Sequence, residues 1–118
     1  MPYRKKRVKA TTNNLTKAII NFLESEGHYA GRINNTGIYD PVNQQWRSIP
    51  ERERGKFDIC ACLHPEGKTL WIDVKTGTDT PSDYQLIFQE RIRFSGGFAI
   101  FIKTYNEFET WYKTIKSS

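Results

Sequence analysis

Asp58, Asp73 and Lys75 are the residues of this chain whose types and spacing best suit catalysis. They fall on two strand-like runs, Phe57 to Leu63 and Thr69 to Lys75, separated by the turn-rich His64-Pro65-Glu66-Gly67-Lys68, which together read as a hairpin. Side chains alternate along a strand, so Phe57, Ile59, Ala61 and Leu63 share one face of the first run and Leu70, Ile72 and Val74 one face of the second. The opposite face then gathers Asp58, Asp73 and Lys75 at one end of a small sheet. Carboxylates on neighbouring strands can approach to roughly 5 Å, where an effective dielectric of about 20 makes their repulsion about 3 kcal/mol. Such a pair calls for a cation, a proton or a nearby ammonium.

Lys75 supplies the ammonium, about 7 Å along the strand from Asp73. A hard divalent ion suits the set, because magnesium is commonly held by one or two carboxylates, waters and substrate phosphate oxygens. The chemistry such a group supports is phosphodiester hydrolysis, with the lysine positioning the nucleophile or stabilising the charge of the transition state. The same three residues would equally make a salt bridge on a solvated sheet face. Gln85 bears on the choice. It lies near Ile92 on the helical wheel, at the edge of the buried face, and its amide needs partners. One role is the fourth residue of a Ser82-Asp83-Tyr84-Gln85 capping box; Thr80-Pro81 offers another helix start, which leaves the amide free to meet a bound water or phosphate.

Other residues were weighed against the same standard. Cys60, Cys62 and His64 alternate along one strand over about 13 Å and cannot converge on one zinc ion. The two cysteines are expected to be reduced and to pack beneath the following helix. His28 stands alone and reads as a hydrogen-bonded structural histidine. Arg32, Arg47, Arg52, Arg54 and Lys56 flank a long polar stretch and are candidates to grip backbone phosphates, although Glu51 and Glu53 interleave with them. The net charge of +5 is concentrated at the start: Arg4, Lys5, Lys6, Arg7 and Lys9 hold five charges, leaving thirteen basic against thirteen acidic side chains in the rest. Such an arm either solubilises the chain or binds a polyanion by counterion release, so nucleic acid is the leading partner.

The elements that must position these groups follow in order. At 118 residues, with 14% aromatic and 37% hydrophobic content, the chain reads as one folded domain. Residues 1–10 form a flexible basic arm and 11–118 the domain. A helix is expected from Asn13 or Asn14, burying Leu15, Ala18, Ile19, Phe22 and Leu23 and ending at Gly27. His28 to Asn34 reads as a strand. Ile38-Tyr39-Asp40 and Gln45-Trp46-Arg47 can pair as a small hairpin within a functional loop. After the central hairpin, a helix buries Tyr84, Ile87, Phe88, Ile92 and Ser95, and Gly96-Gly97 ends it. Phe98 to Lys103 is a buried strand, and a last helix opens on an Asn106-Glu107-Phe108-Glu109 capping box and buries Phe108, Trp111, Tyr112 and Ile115. The result is an α/β domain, αβββαβα, with a small mixed sheet flanked by helices. No apolar run spans a bilayer and none follows the basic start as a secretory signal would, so a cytoplasmic protein is expected.

Gly55-Lys56-Phe57-Asp58, Ile72-Asp73-Val74-Lys75 and Ser82 to Gln85 together resemble the active-site signature of the PD-(D/E)XK nuclease superfamily, and most of all its small stand-alone VRR-NUC-type and phage members. Arg32-Ile33-Asn34-Asn35-Thr36-Gly37, Tyr39-Asp40, Trp46-Arg47 and Gly96-Gly97 fall where that family carries similar residues. The resemblance implies a restriction-endonuclease-like core and a nuclease that hydrolyses DNA phosphodiester bonds with magnesium, with manganese able to substitute. It further implies that Asp58 and Asp73 bind metal together with the backbone carbonyl of Val74. Lys75 would be the catalytic lysine, and Gln85 would support the site from the side. The chain departs from the pattern twice: Asp73 stands where many members have Glu, and Asn13 and Asn14 stand where many have a glutamate on the first helix. Cutting both strands or recognising a junction would be easier as a symmetric homodimer. Two readings from other classes are a non-catalytic nucleic-acid-binding module on the same fold, and an interaction protein in which the acidic cluster is only a salt bridge.

Overall fold

The computed structural model describes residues 2–33, 38–47 and 54–116. Its elements are α1 (Pro2–Ser25), β1 (Tyr29–Arg32), β2 (Ile38–Asp40), β3 (Gln45–Arg47), β4 (Ile59–Leu63), β5 (Lys68–Val74), α2 (Asp83–Phe94), β6 (Phe98–Ile102) and α3 (Tyr105–Lys116). The four-stranded sheet runs β1-β4-β5-β6, and β2 and β3 form a separate two-stranded ribbon. β1, β4 and β5 are antiparallel neighbours, while β6 returns parallel to β5 after the α2 crossover. The domain is therefore mixed α/β, as expected, with the ribbon inserted between β1 and β4.

The central hairpin forms with Ile59 opposite Ile72 and Ala61 opposite Leu70. These four side chains are fully buried and join Ile19 and Leu23 of α1, Ile102 of β6 and Phe108 and Tyr112 of α3 in one core. Burying a side chain of this size stabilises the fold by about 2 kcal/mol, so this sheet face anchors the hairpin. Phe57 does not share it. The chain bends at Asp58 before β4 begins, and the Phe57 ring lies 5.3 Å from Phe88 of α2 and 4.7 Å from Phe101 of β6, on the other side of the sheet.

Helix starts also differ from expectation. α1 runs from Pro2 through the basic segment, because residues 3–12 contain neither Gly nor Pro and half of them are Lys or Arg. Its buried stripe takes in Thr16 and leaves Ala18 exposed. Thr104, not Asn106, caps α3, its hydroxyl accepting from the Glu107 backbone N–H. α2 turns Phe88 and Ile92 towards the sheet, and Gln89 donates to the Ala99 carbonyl at 3.0 Å. Tyr84 and Ile87, expected in the core, are exposed, since the contact with the sheet falls about half a turn away from Ile87. No helix among the described residues is long and apolar enough to cross a membrane.

Candidate active site

Continuing the β4–β5 register one residue beyond Ile59 and Ile72 sets Asp58 against Asp73 at the end of the sheet. The Val74 backbone N–H donates to Asp58 Oδ2 at 3.3 Å, which holds the two strand ends together. Asp73 is 1% exposed, and neither of its carboxylate oxygens receives a well-formed hydrogen bond among the described residues. Lys75 Nζ lies 2.6 Å from Asp73 Oδ2 as an ion pair. Burial above all raises the Asp73 carboxyl to about 6; the Lys75 ammonium opposes that rise and the Asp58 charge adds to it. A buried carboxylate with open lone pairs beside a second carboxylate is a site short of positive charge.

These groups face a cavity of about 350 Å³ lined by Thr12, Arg54, Gly55, Lys56, Asp58, Asp73, Val74, Lys75, Asp79, Ser82 and Gln85. The structure thus brings together Asp58, Asp73, Val74, Lys75, Gln85 and Lys56 from three separate stretches of sequence. Gly55 makes the approach possible. It adopts φ +89°, and a Cβ there would sit 2.4 Å from the Tyr84 carbonyl oxygen, so only glycine lets this loop lie against the first turn of α2.

Gln85 is not free. Ser82 is the N-cap of α2, its hydroxyl accepting from the Gln85 N–H while Gln85 Oε1 accepts from the Ser82 N–H. The capping box prevails over the Thr80-Pro81 start because it satisfies two orphan donors at once. That leaves the Gln85 side-chain amine as the group available at the cavity.

Asp58 also borders a smaller cleft against α1, lined by Thr12, Asn13, Thr16, Arg32 and Ile33. Arg32 donates to Asn13 Oδ1 at 3.0 Å, and the Ile33 N–H donates to the Asp58 carbonyl at 2.7 Å. Arg32 is therefore close to the acids, and α1 presents Thr12, Asn13 and Thr16 there instead of an acid. Thr12 was missed from sequence. Its hydroxyl meets that of Thr76 at 2.6 Å, and the signal was available, since Thr12, Thr16, Ile19 and Leu23 continue one helical stripe.

Other candidates lie elsewhere. Arg47 pairs with Asp40 at 2.7 Å within the ribbon, which packs on no other helix or strand of the described residues. The side chains of Arg4, Lys5, Lys6, Arg7 and Lys9 lie outside the described residues, as do Asn34 to Gly37 and Glu51 to Glu53. The backbone of the basic segment occupies the α1 turns before Thr12, about 5 to 12 Å along the helix axis from it. Arg54 stands over the Tyr84 ring at 5.8 Å. His28 is structural: its Nδ1 accepts from the His64 N–H and its Nε2 meets the Tyr112 hydroxyl at 2.7 Å. Cys60 and Cys62 are free thiols, Cys60 half-buried and Cys62 exposed instead of packed beneath α2.

The cavity sets two carboxylates, Asp58 and the buried Asp73, beside Val74, a lining that suits a hard cation. Among the described residues no group of three or more His, Cys, Asp or Glu side chains is arranged to hold a metal. Comparison of the chain with family models, with curated proteins and with solved structures finds no match.

Proposed function

We propose that this cavity hydrolyses DNA phosphodiester bonds with magnesium or manganese bound, and that the chain is a PD-(D/E)XK-type nuclease with a restriction-endonuclease-like core. The observation that carries this reading is the buried Asp73 carboxylate, set against Asp58 with the Lys75 ammonium 2.6 Å from its Oδ2. The run of an antiparallel β1-β4-β5 sheet, an α2 crossover and a parallel β6 supports the same fold. Asp58, Asp73 and the Val74 carbonyl would hold the ion. When bound, it would supply charge stabilisation at the phosphate and a more acidic water. Lys75 is placed to hold the attacking oxygen or to donate to a phosphoryl oxygen as charge develops there. Arg32 and Lys56 flank Asp58 and suit the neighbouring phosphates, and the basic turns of α1 add sequence-independent affinity. On the ribbon, Tyr39 and Trp46 are paired across the strands and exposed, Trp46 at 71%, which suits stacking on unpaired bases.

The test is a cleavage assay on plasmid, branched and single-stranded DNA with magnesium, manganese or EDTA, comparing wild type with Asp73→Ala and Lys75→Ala. Loss of metal-dependent cleavage in both variants is expected, and activity surviving both removes the assignment. One observation favours a second reading, a binding module without turnover: the α1 side of the site presents Thr12, Asn13 and Thr16 where a further acid would stand. In that case binding falls steeply with salt and no metal elicits cleavage.

A further inference from the structure

α2 carries a stripe with apolar ends and a charged middle that no described residue covers. Ile87, Glu90, Arg91 and Phe94 follow the i, i+3, i+4, i+7 spacing and so share one face of the helix. That face points away from the sheet, which is met by Phe88, Gln89 and Ile92. Ile87 is 57% exposed and Phe94 96% exposed, and no residue of α2 is fully buried although the helix links β5 to the parallel edge strand β6. Glu90 and Arg91 have no side-chain partner among the described residues.

The order along this stripe, apolar, acidic, basic, apolar, reads as its own complement when reversed. We infer that α2 is a homodimer contact, in which two copies of the helix pack antiparallel about a two-fold axis passing between residues 90 and 91. Ile87 then lies against the partner's Phe94, and Glu90 against the partner's Arg91, each contact occurring twice. An isologous contact requires such self-complementarity, because one patch must meet itself. A parallel pairing would set Glu90 against its own copy and Arg91 against its own, so charge selects the antiparallel arrangement. A polyanion or an anionic surface would instead meet Glu90 in the middle of the patch. The dimer stands on α2 alone and survives if the acidic cavity proves inert.

Sedimentation velocity of the full chain over a concentration series into the micromolar range is expected to show a dimer in equilibrium with monomer. Glu90→Arg and Arg91→Glu, each alone, place like charges opposite one another twice and are expected to weaken self-association at least about tenfold. Mixing the two variants restores both complementary pairs, so the mixture is expected to form a heterodimer that neither forms alone. Phe94→Ser, at a position too exposed to disturb the core, is expected to leave a folded monomer with an unchanged circular dichroism spectrum. A wild type that stays monomeric, single variants that associate like wild type, a mixture that stays monomeric, or a Phe94→Ser protein that still dimerises would each overturn the inference.

Discussion

Lys75 Nζ stands 2.6 Å from Asp73 Oδ2, yet the Asp73 carboxyl is held up at about 6. An ammonium this close normally lowers a carboxyl; here burial and the Asp58 charge outweigh it. The two acids therefore carry more negative charge than Lys75 alone offsets, and Lys56 and Arg54 on the cavity wall, or a bound cation, are the further sources of positive charge.

Removing the lysine should accordingly damage the metal-free fold more than removing the acid. Lys75→Ala leaves a buried carboxylate beside Asp58 with no cation, and is expected to cost about 3 kcal/mol. Asp73→Asn removes the repulsion and leaves Lys75, whose side chain is 12% exposed, next to Asp58; it is expected to cost less than half as much. Urea unfolding of both variants with EDTA and then with excess magnesium measures this. Magnesium should recover part of the Lys75→Ala loss and none of the Asp73→Asn loss. Equal costs in EDTA would contradict the charge-deficit account.

Much of this site was legible because β4 and β5 bury one face each, and period-two alternation reports that directly for Ile59, Ala61, Leu70 and Ile72. Phe57 escaped the rule because the bend at Asp58 resets the alternation just before the strand starts. Gln85 escaped because two helix starts competed and propensity alone does not rank a Pro against a reciprocal cap. Ile87 falls on the apolar side of the helical wheel yet is exposed, since a helical stripe reports that a face is apolar, not what covers it. The helical stripe marks Thr12 as inward-facing, but its contact with Thr76 depends on tertiary packing between residues far apart in the chain.

The capping box separates the two jobs of Gln85. Gln85→Glu keeps an acceptor for the Ser82 N–H and adds a favourable charge at the helix start, so stability should stay within about 0.5 kcal/mol of wild type. It removes the amide NH2 from the cavity and adds a fourth carboxylate to Asp58, Asp73 and Asp79 there. Cleavage should therefore fall although the thermal midpoint does not, whereas Ser82→Ala should cost about 1 kcal/mol. Wild-type cleavage by Gln85→Glu would confine this residue to capping.

Gly55→Ala tests how tightly the loop must lie on α2. The substitution combines strain at φ +89° with a Cβ 2.4 Å from backbone that cannot move aside cheaply. A cost of about 2 kcal/mol or more is expected, with loss of cleavage as the first turn of α2 shifts from the acids. Gly67→Ala is the control, since its φ of +76° carries strain while its Cβ meets nothing within 4 Å. It should cost about 1 kcal/mol and spare activity. Equal effects from the two would reduce the role of Gly55 to backbone strain.

His28 ties three elements together and sets a pH limit on them. Nδ1 accepts from the His64 N–H at 2.9 Å, which leaves Nε2 as the protonated nitrogen donating to the Tyr112 hydroxyl. That hydroxyl donates to Glu26 Oε1, which also takes Lys116. Protonating Nδ1 would break the first link, and burial holds the His28 pKa below its ordinary 6.5, with His64 and Lys116 adding to the shift and Glu26 opposing it. A histidine depressed in the folded state contributes stability above the unfolded value, and that contribution is lost as pH falls through the folded value. Unfolding free energy should therefore drop below pH 6.5 in the wild type. In His28→Gln, which has no proton to take up, the curve should begin lower and stay flatter over the same range. Parallel curves for the two proteins would place the acid sensitivity in other groups and leave His28 without this role.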